Sequence, residues 1–150
     1  MMKSLKQNLC KACEDFVVQK ENSILGIIKS NQEALDSETK SSAGDKHETG
    51  RAMLQLEMEK VSKQLHAVHE MKTTLRRIDI TKTTTTVNLG SIIVSDAGQY
   101  FLSISAGELS IDNSLYYAVS ANSPIGRLML GAKAGDKINF RKEITILEVH

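Results

Sequence analysis

Asp45 and Glu48 stand three residues apart in Gly44-Asp45-Lys46-His47-Glu48-Thr49, a spacing that puts two carboxylates on one face of a helix. Two readings of the pair are open. Asp45 can cap the helix that starts here, with Glu48 at its third position, since both acids are favoured by unpaired N–H groups and the helix dipole. Alternatively, the pair can offer oxygen ligands to Mg²⁺, an ion that takes few protein carboxylates and completes its shell with water and substrate phosphates. Two carboxylates alone make a weak site, so such an ion would be shared with a partner. Glu33, Asp36 and Glu38 add acid to the same stretch, against Lys40 and Lys46.

Other reactive residues are less organised. Cys10-x-x-Cys13 together with His66 and His69 has the composition of a Cys₂His₂ zinc set. If the chain folds back near residue 43, however, Cys13 faces Thr73 and His66 falls about 10 Å further along the axis at ~1.5 Å per residue. Zinc is therefore not expected, and the thiols are placed in or beside a helix seam. His47 reads as a solvated histidine between acids. Lys3, Lys6, Lys11, Lys72, Arg76 and Arg77 gather at one end of the same fold-back, either as a solvated face or as a patch for phosphates. Ser123 has no partners for a triad, and the glycines form no phosphate loop.

The elements that position these residues are legible from periodicity. Apolar residues recur at Leu5, Leu9, Cys13, Phe16, Ile24, Ile27, Ile28, Asn31 and Leu35, in steps mostly of three and four. A second stripe, Leu54, Met58, Val61, Leu65, Val68, Met71 or Lys72, Leu75 and Ile78, keeps a heptad rhythm. Between them, residues 37–45 are small and polar and read as a turn. The pattern predicts an antiparallel helical hairpin, with arms of roughly 30 residues and a length on the order of 45 Å. The texture changes near residue 80, where Thr81-Lys82-Thr83-Thr84-Thr85-Thr86 is β-branched and poor for helix. Strands are expected over 91–95, 99–105, 115–120, 137–141 and 143–149, with a short helix over 124–130. The domains are thus 1–79, a helical hairpin with an acidic tip, and 80–150, a small β-rich domain.

Composition sets outer limits. The 150 residues are 41% hydrophobic and 25% charged, with 19 basic and 18 acidic side chains and a net charge of +1. This balance denies the broad electrostatic grip of a protein that coats DNA. No run of 18 uncharged apolar residues is present, so no membrane span is expected, and the charged start does not read as a signal peptide. A cytoplasmic protein with reduced thiols follows. Aromatics are 4% of the chain, too few for a base-stacking platform. The intramolecular hairpin satisfies both seams, so a monomer is expected.

Two segments taken together resemble a known family. Gly44-Asp45-x-x-Glu48 leads into a long helix carrying Glu57. Much later Asn122-Ser123-Pro124-Ile125-Gly126-Arg127-Leu128-Met129-Leu130-Gly131 precedes Gly135-Asp136. In order and spacing these resemble the signature regions of the bacterial Gre transcript-cleavage factors. The resemblance implies an FKBP-like C-terminal domain that docks on RNA polymerase at the rim of its secondary channel, while the hairpin enters that channel. It places Asn122, Ser123, Pro124 and Arg127 in the docking loop. It makes Asp45 and Glu48 lent ligands for a Mg²⁺ shared with the polymerase active centre, which then hydrolyses the nascent RNA of a backtracked complex. A factor of this kind is an accessory with no active site of its own. The tip has Thr49 and then Gly50-Arg51-Ala52 where the family usually has Asn and, a few residues on, an aromatic. That departure bears on cleavage more than on channel entry. The alternatives are a channel-binding inhibitor without cleavage activity, an FKBP-like prolyl isomerase and a coiled-coil scaffold. Tyr100, Phe101, Tyr116, Tyr117 and Phe140 are expected to be too few for a proline pocket.

Overall fold

The computed structural model describes the backbone of residues 2–40 and 44–150, and the side chains of these residues except 38–48. Two long helices come first, α1 over Met2–Lys40 and α2 over Gly44–Arg76. Neither contains proline, the residue that would end them. Six strands and one short helix follow: β1 (Ile92–Ser95), β2 (Gly98–Ser103), β3 (Gly107–Ile111), β4 (Ser114–Ser120), α3 (Pro124–Met129), β5 (Lys137–Phe140) and β6 (Lys142–Val149). A helical pair followed by a β-rich domain is the architecture expected from the pattern.

Compactness divides the chain differently from chain order. One unit comprises Met1–Phe16 together with Lys72–His150, and the other is Val17–Met71. In the second unit the helices run antiparallel. His69 Nε2 lies 3.7 Å from Glu21 Oε2, and Leu35 shares a cavity with Met58 and Glu59. A fold-back near residue 43 would have set Glu21 against Leu65, so the register is displaced by about one helical turn. Ile24, Val61 and Val68 are buried here, with Leu54, Met58 and Leu65 half-buried, as the α2 stripe predicts. Ile27, expected in the α1 stripe, is 40% exposed.

In the first unit the strands form one mixed sheet in the order β3-β4-β2-β1-β6-β5. All neighbours are antiparallel except β2 and β4, which pair in parallel from Tyr100↔Tyr117 to Ser103↔Ser120. Alternation sends successive residues to opposite faces. Tyr100, Leu102, Ile93 and Ile146 meet α3 through Ile125 and Met129. Phe101 and Ser103 point the other way, where the first turns of α1 cover the sheet: Cys13 Sγ lies 3.7 Å from Ser103 Oγ. The buried line of α1 is Lys6, Leu9, Cys13 and Val17. Cys13 is therefore not in a helix–helix seam, because it packs on the sheet.

This burial has a titration consequence. Both thiols are pushed up to about 11, chiefly by burial, with Glu14 adding to the effect and the Ser103 contact opposing it at Cys13. An unfolded thiol titrates near 9.0. The native state therefore holds more protons between those values, so this contribution to stability is intact below pH 9 and is lost as pH rises towards 11. Urea midpoints measured from pH 7 to 10.5 should fall above pH 9, and less steeply in Cys13→Ala. At pH 8, native thiols should react with iodoacetamide far more slowly than in urea, since only the thiolate attacks.

Candidate functional site

Two regions carry the residues singled out above. The first is the start of α2. Asp45 and Glu48 lie in its opening turn, but their side chains are outside the described residues, as is that of His47. Glu33 and Asp36 are exposed on the last turns of α1.

The second region is built around α3. Ser123 is its N-cap: the hydroxyl accepts the Gly126 N–H at 3.1 Å and donates to the Ser120 carbonyl at 2.7 Å. Pro124 at the first helical position lacks only an N–H that would have had no helical partner. Gly126 is required by space, because a Cβ there would sit 1.8 Å from the Ser120 carbonyl oxygen. Gly131 has φ +83 just past the helix, and the turn at Gly135-Asp136 is closed by Asp136 Oδ2 accepting the Lys133 N–H at 3.0 Å. Ser123, Gly126 and Asp136 thus hold the loop in shape. Asn122, Pro124 and Arg127 are left on its exposed side, beside Leu128 at 44% exposure.

Next to this loop lies a cavity of about 640 Å³ whose lining includes Tyr100, Tyr117, Val119, Ile125, Phe140 and Arg141. Tyr100 and Tyr117 are neighbours across the parallel strand pair, with ring centroids 5.7 Å apart. Burial raises the Tyr100 phenol above its usual value. Arg141, at φ +63 in the tight turn between β5 and β6, holds its guanidinium 5.4 Å from the Phe140 ring centroid. Three of the five aromatics expected to be too sparse for a pocket therefore meet in one. The strand pairing carries them there from three different segments, which composition alone does not reveal. Such a groove, apolar within and basic at Arg141 and Lys142, can take an apolar anchor flanked by acidic groups.

The remaining candidates are dispersed. His66 Nε2 pairs with Glu70 at 3.2 Å on an exposed face, and His69 faces Glu21. Neither joins the cysteines, and among the described residues no group of three His, Cys, Asp or Glu could hold a metal ion. The basic residues are not one face either. Lys11 pairs with Asp15 at 3.1 Å, whereas Lys6 is buried.

No protein-family model matches the sequence, and no curated protein matches it significantly. Solved structures do. The GreA factor homolog 1 (Gfh1) protein of Thermus thermophilus is similar at 15% identity and a TM-score of 0.35, over 94% of each chain. A second structure of the transcription factor Gfh1 matches at the same identity and TM-score, over 94% of this chain and 92% of that one. A prokaryotic transcription elongation factor GreA/GreB from Nitrosomonas europaea matches at 19% identity and a TM-score of 0.32, over 65% of this chain and 91% of its own. These neighbours are Gre-type proteins, the group that the sequence motifs resemble. Among the described residues no helix is long and apolar enough to cross a membrane.

Proposed function

We propose that the chain is a Gre-like regulator of RNA polymerase, which docks through α3 and the adjoining groove and carries Asp45 and Glu48 into the polymerase active centre. The observation that supports this best is the build of the 123–127 turn. Its hydroxyl and its glycine are used internally, and Asn122, Pro124 and Arg127 are exposed beside an apolar, basic-rimmed groove. A loop so fixed is a preorganised contact surface. Asp45 and Glu48 are the residues that would help to hold a Mg²⁺ shared with the polymerase. Bound there, such an ion would supply charge stabilisation for hydrolysis of the nascent RNA. The chain's own part is to position two carboxylates, so it is an accessory and not itself an enzyme.

The test adds the protein, with Mg²⁺, to stalled, backtracked elongation complexes of its own polymerase. Short 3′ RNA products should appear, and Asp45→Asn with Glu48→Gln should reduce their rate by 100-fold or more while polymerase binding is kept. Slowed nucleotide addition with no RNA shortening would replace the cleavage reading with that of a channel-occupying inhibitor. The meeting of Tyr100, Tyr117 and Phe140 in one groove favours a second reading, a prolyl isomerase. A prolyl-peptide isomerisation assay in which Tyr117→Ala changes nothing would dismiss it.

A further inference from the structure

Lys6 is 2% exposed, an unusual place for an ammonium group. Among the described residues its only hydrogen bond is the one its Nζ donates to the Lys82 carbonyl at 2.9 Å. No carboxylate among the described residues pairs with it. Asp79, which lines the same cavity, accepts the Thr81 N–H at 3.0 Å and the Thr81 hydroxyl at 2.6 Å, and these bonds hold its carboxyl below the usual range. A buried cation left this way is costly, because removal from water is not repaid by a partner charge. Burial accordingly lowers the pKa of Lys6.

The space around this group is a cavity of about 390 Å³, lined by Lys6, Arg77, Asp79, Lys82, Thr84 and Ser91 among others, all within the sheet-containing unit. Three cations against one carboxylate leave a net positive wall. Ser91, itself buried, accepts the Asn88 N–H at 2.9 Å, and its own proton has no acceptor among the described residues. The volume lies within the ~300–1,000 Å³ typical of small-molecule sites. Two ammonium groups and a planar guanidinium are the donor set that recognises tetrahedral oxyanions.

We propose that this cavity binds a small phosphate anion of the inorganic phosphate or diphosphate class, held by Lys6, Arg77 and Lys82. The anion supplies the counter-charge that Lys6 lacks. The excess of three cations over the single, already engaged Asp79 favours a multiply charged ligand over a monoanion.

The experiment is calorimetric titration of the full chain with sodium phosphate and, separately, sodium diphosphate, in low-salt buffer, with thermal melts alongside. Saturable one-site binding is expected, together with a rise in melting temperature. Lys6→Met and Arg77→Ala should each weaken binding at least tenfold, whereas Lys60→Ala, on an exposed part of α2, should leave it unchanged. Arg77 is exposed, so Arg77→Ala keeps the proposal testable if Lys6→Met does not fold. Absence of saturable binding would overturn the proposal. So would an equal loss in Lys60→Ala, which signals diffuse charge attraction. Binding of a short RNA oligonucleotide that depends on Lys6 and Arg77, with no binding of either anion, would overturn it in favour of a nucleic-acid contact.

Discussion

Gly126→Ala should abolish the shape of the loop to which we assign docking. An alanine methyl would sit 1.8 Å from the Ser120 carbonyl oxygen, 2.8 Å from its carbon and 2.9 Å from Ser123 Oγ. Two of these three atoms are backbone at the end of a paired strand, so neither can swing away as a flexible side chain would. The third is the cap itself, and moving it breaks both of its hydrogen bonds. Relief therefore requires α3 to lift from the sheet, which withdraws Ile125 and Met129 from the core. We expect a loss at or above the top of the ~1–3 kcal/mol that overpacking usually costs. Polymerase binding should fall by more than stability alone explains. Urea unfolding followed by tyrosine fluorescence, paired with a binding assay under conditions where the variant stays folded, separates the two. Ser123→Ala is the milder companion, costing about 1 kcal/mol as a lost cap. An alanine at 126 that leaves stability and binding intact would mean that α3 is not held as described.

Legibility in the sequence followed side-chain period. The heptad of α2 emerged with Val61 and Val68 buried and its neighbours half-buried, because 33 residues without proline leave little room for another reading. Strands β1, β2, β4, β5 and β6 fell within a residue or two of their expected spans. Strand β3 was missed. Gly107-Glu108-Leu109-Ser110-Ile111 is an edge strand that buries only Leu109, so its apolar signal is a single residue. Residue type places Lys6 in a surface cluster of bases, a solvated face or a patch for phosphates, and only the packing of α1 on the sheet brings it inside. The aromatic groove was hidden for a related reason. Tyr100 and Tyr117 become neighbours through a parallel pairing, and that contact leaves no local pattern. The loop motif was visible as residue types, but the role of Ser123 was not. Its hydroxyl is used within the loop, and the residues on either side of it are the ones left exposed.

Phe101→Ala should be the most damaging single truncation in the sheet. Phe101 is wholly buried on β2, which has β4 on one side and β1 on the other. Its register partners are Ile92 and Ala118, so on one side the ring rests over a methyl group too small to refill the space it leaves. Ile92, branched at Cβ, has little rotamer freedom with which to collapse inward. The cavity should therefore persist, which puts the cost in the upper part of the ~3–5 kcal/mol seen for Phe→Ala. For a cooperative unit of this size each kcal/mol shifts the melting temperature by ~4–8 °C, so a fall on the order of 20–30 °C is expected in calorimetry. Phe101→Leu, which retains most of the volume, should recover more than half of it. The face matters as much as the size. Phe101 lies opposite Tyr100 and Leu102, on the side where Cys13 meets Ser103, so its removal loosens the contact that joins the first turns of α1 to the sheet. Cys13 in Phe101→Ala should then react with iodoacetamide at pH 8 much faster than in the parent, at temperatures well below the melt. Unchanged thiol protection would show that α1 is anchored by Lys6 and Leu9 alone.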